Sequence, residues 1–89
     1  MNTRGPRVSI GMAIYNEEKY LRESLDSLLA QDFADFELII SDNASEDATQ
    51  AISLEYAARD PRVRYHRNET NVGSCENFNR VFRLLIGDN

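Results

Sequence analysis

The chain has 89 residues, 15 acidic and 10 basic, for a net charge of -5, which allows one small domain that buries about 60% of its unfolded surface. The acidic balance excludes non-specific nucleic-acid binding, which needs a basic surface. The lone cysteine, Cys75, excludes an internal disulfide, and no Cys/His cluster has zinc spacing.

Residues 1–7 read as a polar lead-in without the apolar core of a signal peptide. No segment approaches the ~20 apolar residues of a membrane span, so the expectation is a soluble protein in a reducing compartment. Val8 to Tyr15 is an apolar run rich in β-formers, the pattern of a strand buried on both faces. Asn16 suits a helix N-cap, with Glu17 and Glu18 favouring the positive end of a helix dipole. Leu21, Leu25, Leu28 and Leu29 then predict an amphipathic helix over 17–31.

Asp32 to Asp35 make a turn, and Phe36 to Ser41 form the second strand. Asp42 to Ser45 are cap and turn residues, and Ala48, Ile52 and Tyr56 line a second helix over 46–59. Asp60-Pro61 stops it, because proline disfavours helical geometry in the residue before it. Val63 to Arg67 alternates as a third strand, and Asn68 to Gly73 is a polar loop. Phe78, Val81, Phe82, Leu85 and Ile86 set the inward face of a third helix that Gly87 ends.

The order βαβαβα with short connections implies three parallel strands with right-handed crossovers. The fold class is α/β: a three-layer half of a doubly wound, Rossmann-like domain, strand order 3-2-1, in one domain over 1–89. Ligands of such sheets bind beyond the carboxyl ends of the strands. Those ends carry Tyr15-Asn16-Glu17, Asp42-Asn43 and the loop from Arg67 to Gly73, a set that suits a nucleoside. Tyr15 offers a face for stacking, or it simply closes the strand. Asp42 and Asn43 offer acceptors for a base or ribose, or they serve the turn. Neither a dinucleotide glycine fingerprint nor a P-loop is present. His66 has no evident nucleophile partner, so a catalytic triad is not expected.

The stretches Val8-Ser9-Ile10, Tyr15-Asn16-Glu17-Glu18, Leu25 to Gln31, Phe36 to Asp47, Asp60 to Arg64 and Asn71-Val72-Gly73 together resemble glycosyltransferase family 2, over residues 7–87. The resemblance implies the GT-A fold of nucleotide-diphospho-sugar transferases. It implies a nucleotide-binding set of Ala13, Tyr15, Glu17, Asp42 and Asn43, with Tyr15 against the base, Glu17 in the same pocket, and Asp42 and Asn43 reading base and ribose. Two positions depart from the pattern. Ala13 stands where the family often has proline, and Asn43 stands where it often has a second Asp. Asparagine accepts a hydrogen bond but brings no charge, so the resemblance does not fix the base.

The family's divalent metal, Mg²⁺ or Mn²⁺, sits on an Asp-x-Asp type motif, and a later carboxylate deprotonates the acceptor hydroxyl for inverting transfer. Both are expected beyond Asn89, so this chain carries no catalytic residue and no metal ligand. The implied parent is a cytoplasmic hexosyltransferase, at the membrane face or free of it. Its partners are a nucleotide-diphospho-sugar donor and a sugar, lipid or glycan acceptor, with no nucleic acid. Without a fourth strand, the edge of residues 8–14 is open to self-association. The alternatives are a Rossmann-like binding or signalling module and a relic that binds nothing. A receiver-like module needs a phosphoacceptor Asp where His66-Arg67 ends the third strand.

Overall fold

Strand β1 (Val8–Ile14), helix α1 (Glu18–Leu29), strand β2 (Phe36–Asp42), helix α2 (Thr49–Arg59), strand β3 (Val63–Arg67) and helix α3 (Ser74–Leu85) follow in order in the computed structural model, which describes residues 8–31 and 35–85. The lead-in over 1–7, most of the turn after the first helix, and the helix end at Gly87 lie outside the described residues. All three strands are parallel, in the order β1-β2-β3. Val8 pairs with Phe36 and Ile14 with Asp42, while Leu38 pairs with Val63 and Asp42 with Arg67. This register aligns the carboxyl ends of the strands, where the β1–α1, β2–α2 and β3–α3 loops emerge.

Side chains alternate between the two faces of the sheet, and the two faces differ. Ile14, Phe36, Leu38, Ile40 and Val63 point to α1 and α2, where Leu21, Leu25, Ile52 and Tyr56 complete one core cluster. Leu25, Leu38 and Ile40 are fully buried, each contributing roughly 1.5–3 kcal/mol. The other face carries Gly11, Ile39 and Ser41 and receives α3. The result is three layers: two helices, the sheet, then one helix.

Two expectations need correction. β1 is not buried on both faces: Val8, Ser9, Gly11 and Ala13 are exposed, and only Ile14 is buried. Among the described residues it has a neighbour on one side only. α3 does not turn its phenylalanines inward either. Asn77 and Val81 are buried, whereas Phe78 is 62% and Phe82 55% exposed. The helix is rotated so that a carboxamide reaches the strand ends, which leaves Phe78 and Phe82 on its flank.

At Gly11, α3 lies close against the sheet. A Cβ there would lie 2.9 Å from Leu85 Cδ1 and 3.0 Å from Val81 Cγ2. The Leu85 tip can rotate away, but the β-branched Val81 cannot. Gly11→Val should therefore destabilise the fold by about 1–3 kcal/mol, and Gly11→Ala by less. Urea unfolding of the two variants checks this; an unchanged midpoint for Gly11→Val would contradict it.

Candidate functional site

The β1–α1 and β2–α2 loops are tied together by polar exchange. Asn16 sits in the left-handed region at φ 51. Its backbone N–H donates to Ser45 Oγ at 2.8 Å, and its Oδ1 accepts from the Glu46 N–H at 2.9 Å. Asn16 is thus not the helix cap that the sequence predicts. Glu17 takes that position and makes no side-chain cap bond. The two helices satisfy each other's first N–H groups instead. Glu17 N–H donates to Thr49 Oγ1 at 2.7 Å and Glu18 N–H to Asp47 Oδ2 at 3.3 Å, while Ala48 N–H donates to Glu18 Oε1 at 2.7 Å. Each helix start leaves donors without intrahelical partners, and here the neighbouring helix supplies acceptors.

Ala13, Tyr15, Glu17, Asp42 and Asn43 all come to this end of the sheet, but at different depths. Ala13, Tyr15 and Glu17 are exposed, Tyr15 at 40%. Asp42 and Asn43 are buried. Asp42 Oδ1 accepts from the Ser45 N–H at 3.0 Å and from Ser45 Oγ at 2.6 Å. Its Oδ2 accepts from the Tyr65 hydroxyl and, at 3.5 Å, from Arg67 Nη1. Burial, and then the bond to Asp42, push the Tyr65 phenol from 10.0 up to about 12. Asn43 uses all its capacity: Oδ1 accepts from Asn68 Nδ2 and the Val72 N–H, and Nδ2 donates to Asn71 Oδ1 and the Gly73 carbonyl.

A third layer of contacts was not legible as such in the sequence. Asn77 Nδ2 donates to the Ser41 carbonyl at 3.0 Å and reaches the Ile14 carbonyl at 3.5 Å. Its Oδ1 accepts from Ser41 Oγ at 2.7 Å and Asn68 Nδ2 at 2.9 Å. Asn71 Oδ1 also accepts the Gly73 N–H at 2.8 Å, and Gly73 has φ +88 with open space where a Cβ would be. The spacing Asn71-Val72-Gly73 signalled the turn but not what it grips. Beside this loop lies a cleft of about 450 Å³, lined by His66, Arg67, Thr70 and Arg80 among others. Among the described residues, no three His, Cys, Asp or Glu side chains are placed to hold a metal ion.

Two predictions test this geometry. Asn77→Ala and Asn77→Asp should each cost about 2–4 kcal/mol in urea unfolding, because both strip buried carbonyls of their donor; losses under about 1 kcal/mol would contradict the network. Tyr65 has a raised pKa in the fold, so its contribution is complete below pH 10.0 and is lost as pH rises towards about 12. The urea midpoint should fall across that interval, and the fall should be smaller in Tyr65→Phe; an identical alkaline profile would contradict the half-buried, hydrogen-bonded phenol.

The fold agrees with what known proteins show. The family described as "Glycosyl transferase family 2" matches residues 9–88. An uncharacterized glycosyltransferase of Methanocaldococcus jannaschii is 38% identical over 84 residues, covering 92% of this chain and 29% of the relative. One of Rickettsia typhi is 36% identical over 77 residues, covering 86% of this chain and 24% of the relative. A mannosyltransferase of Pyrobaculum calidifontis, solved in complex with GDP-Man and Mn²⁺, superposes with a TM-score of 0.79 at 27% identity. That match covers 92% of this chain and 25% of the mannosyltransferase. The chain therefore spans about a quarter of the length of such relatives, and its α/β sheet is that of a GT-A glycosyltransferase. With the family matched over nearly its whole length, the chain belongs to glycosyltransferase family 2.

Proposed function

We propose that the chain binds the nucleoside of a nucleotide-diphospho-sugar donor, as the N-terminal, nucleotide-recognising part of a transferase that moves the sugar to an acceptor hydroxyl. The observation that carries this is that Tyr15 and Glu17 are both exposed at strand ends whose loops are tied to one another by hydrogen bonds. Tyr15 stacks on the base, and Glu17 lies in the same pocket. Ala13 lines it without bulk. Asp42 and Asn43 form its floor. Arg67 is the longest of Asp42's contacts and is 34% exposed in its side chain. A base or ribose donor that reads Asp42 Oδ2 does so by displacing that guanidinium.

The donor complex of the archaeal mannosyltransferase, with its GDP-Man and Mn²⁺, supports a nucleotide sugar and a divalent metal for the whole enzyme, Mg²⁺ or Mn²⁺. In this reading the parts that hold that ion and that deprotonate the acceptor belong to other regions of a complete transferase. The acceptor, a sugar, lipid or glycan, is met by those regions too. The reaction proposed is an inverting displacement, carried out in the cytoplasm or at its membrane face. Among the described residues no helix is long and apolar enough to cross a membrane. On its own the chain binds without catalysing, and it self-associates through the edge of residues 8–14.

Titration with nucleoside diphosphates, without metal, while following backbone amide shifts tests the binding. Shifts should centre on residues 15–17 and 42–46, and Tyr15→Ala should weaken binding about tenfold, as loss of one base–aromatic stack does. Absence of shifts at millimolar nucleotide would overturn the reading. Sugar transfer by the purified chain should be undetectable, and any measured turnover would contradict the separation of binding from catalysis.

A further inference from the structure

Asn43 is where the strand ends and the β3–α3 loop meet. Its backbone N–H donates to the Ile14 carbonyl at 2.9 Å, so its main chain continues the β1–β2 ladder by one step. Its side chain is committed to the loop. Oδ1 accepts from Asn68 Nδ2 at 3.1 Å and from the Val72 N–H at 2.9 Å. Nδ2 donates to Asn71 Oδ1 at 2.9 Å and to the Gly73 carbonyl at 3.3 Å. Of the six residues from Asn68 to Gly73, four are bonded to this one carboxamide. A carboxamide offers two N–H donors and two acceptor sites, and no more. Asn43 is also only 2% exposed. A ribose hydroxyl or a base N–H could reach it only by breaking one of these bonds.

The partners also select a carboxamide over a carboxylate. Asn71 Oδ1 already accepts from the Gly73 N–H at 2.8 Å, and the Gly73 carbonyl already accepts from the Asn77 N–H at 3.0 Å. Both therefore face Asn43 as acceptors, and a donor must meet them. An ionised carboxylate has no proton to give, so an aspartate here would be set against two oxygens at once. Turning the Asn71 amide over does not relieve this, because the Gly73 N–H would then lose its acceptor.

We propose that Asn43 is a positioning residue, which fixes the β3–α3 loop against the nucleoside pocket and does not itself touch the nucleotide. The inference rests on the nucleoside-binding reading above and narrows it: Asn43 leaves the groups that read base or ribose and joins the frame that holds them. The loop it holds leaves the sheet at the same end as Tyr15 and Glu17. Its exposed residues Glu69 and Thr70 line the adjoining cleft with Arg67 and Arg80, so releasing the loop reshapes that end of the sheet.

Titration calorimetry with GDP, UDP and their deoxyribose counterparts, on the 89-residue chain and on Asn43→Asp, tests the proposal. At about pH 7.5 the variant should bind every one of these nucleotides weaker by one common factor of about tenfold. A buried carboxyl among acceptors holds its proton to higher pH, so at about pH 5 it regains a donor, and binding should return to within about threefold of the wild type. The wild type at each pH is the reference for the other titratable groups around this position. Asp42 is engaged by Ser45, Tyr65 and Arg67, and Glu76 by Arg80, which also reaches Asn68, while His66 and Glu69 are exposed. Asn71→Ala removes one of the partners at an exposed position and brings no buried charge; it should weaken all the nucleotides alike, by about threefold or more. A loss confined to the ribose forms or to one base, in either variant, would show that Asn43 reads the ligand and would overturn the inference while leaving the binding reading in place. Unchanged binding in either variant, or a loss in Asn43→Asp that is the same at both pH values, would overturn it too. No binding by the wild type would overturn the binding reading and this inference together.

Discussion

The carboxamide of Asn77 holds the carboxyl end of this sheet together. It is buried in α3, and it contacts the ends of β1 and β2 through the Ile14 and Ser41 carbonyls and the start of the β3–α3 loop through Asn68. A buried carboxamide is tolerated only when its capacity is used, and here every donor and acceptor of Asn77 has a partner. Rotation of α3 to deliver this group explains why its phenylalanines lie on the flank. It also explains Gly11: a helix anchored that close to the strand ends leaves no room for a larger side chain beneath Val81.

From Asn77 the network runs outward through Asn68 to Asn43, and from there to Asn71, Val72 and Gly73. A parallel exchange binds Asn16, Glu17 and Glu18 to Ser45, Asp47 and Thr49. Together they fix three loops that would otherwise lose entropy on binding a ligand, and preorganisation of that kind raises affinity without new contacts. Asp42 is part of the frame as much as of the proposed pocket. Its carboxylate accepts from Ser45 and Tyr65, and its longest contact, at 3.5 Å, is to Arg67.

The elements were legible because their periodicities are clean: apolar runs for the strands, leucines at helical spacing for α1, and a proline after α2. The resemblance carried by residues such as Tyr15, Glu17 and Asp42 was legible for the same reason, as motifs at fixed spacing. What sequence could not give were choices decided by tertiary contacts. Asn16 reads as a cap, yet its left-handed backbone turns its side chain to the neighbouring loop. Phe78 and Phe82 read as core because hydrophobicity ranks them above Asn77. Ser41 and the strand-end carbonyls, which need a donor, outweigh that ranking. Ala44 at φ 63 is a strained position for a residue with a Cβ; it lies in the turn where Asp42 and Ser45 bond to each other, and nothing in composition announces it.

The central claim is that the proposed nucleotide-binding end is already formed in the free chain. Backbone ¹⁵N relaxation of the ligand-free protein tests this most directly. The account predicts order parameters near ~0.85 for residues 15–17, 43–46 and 68–73, as rigid as the strands they join. Values below ~0.6 in those loops would contradict it, because the asparagine network would then not hold them in place.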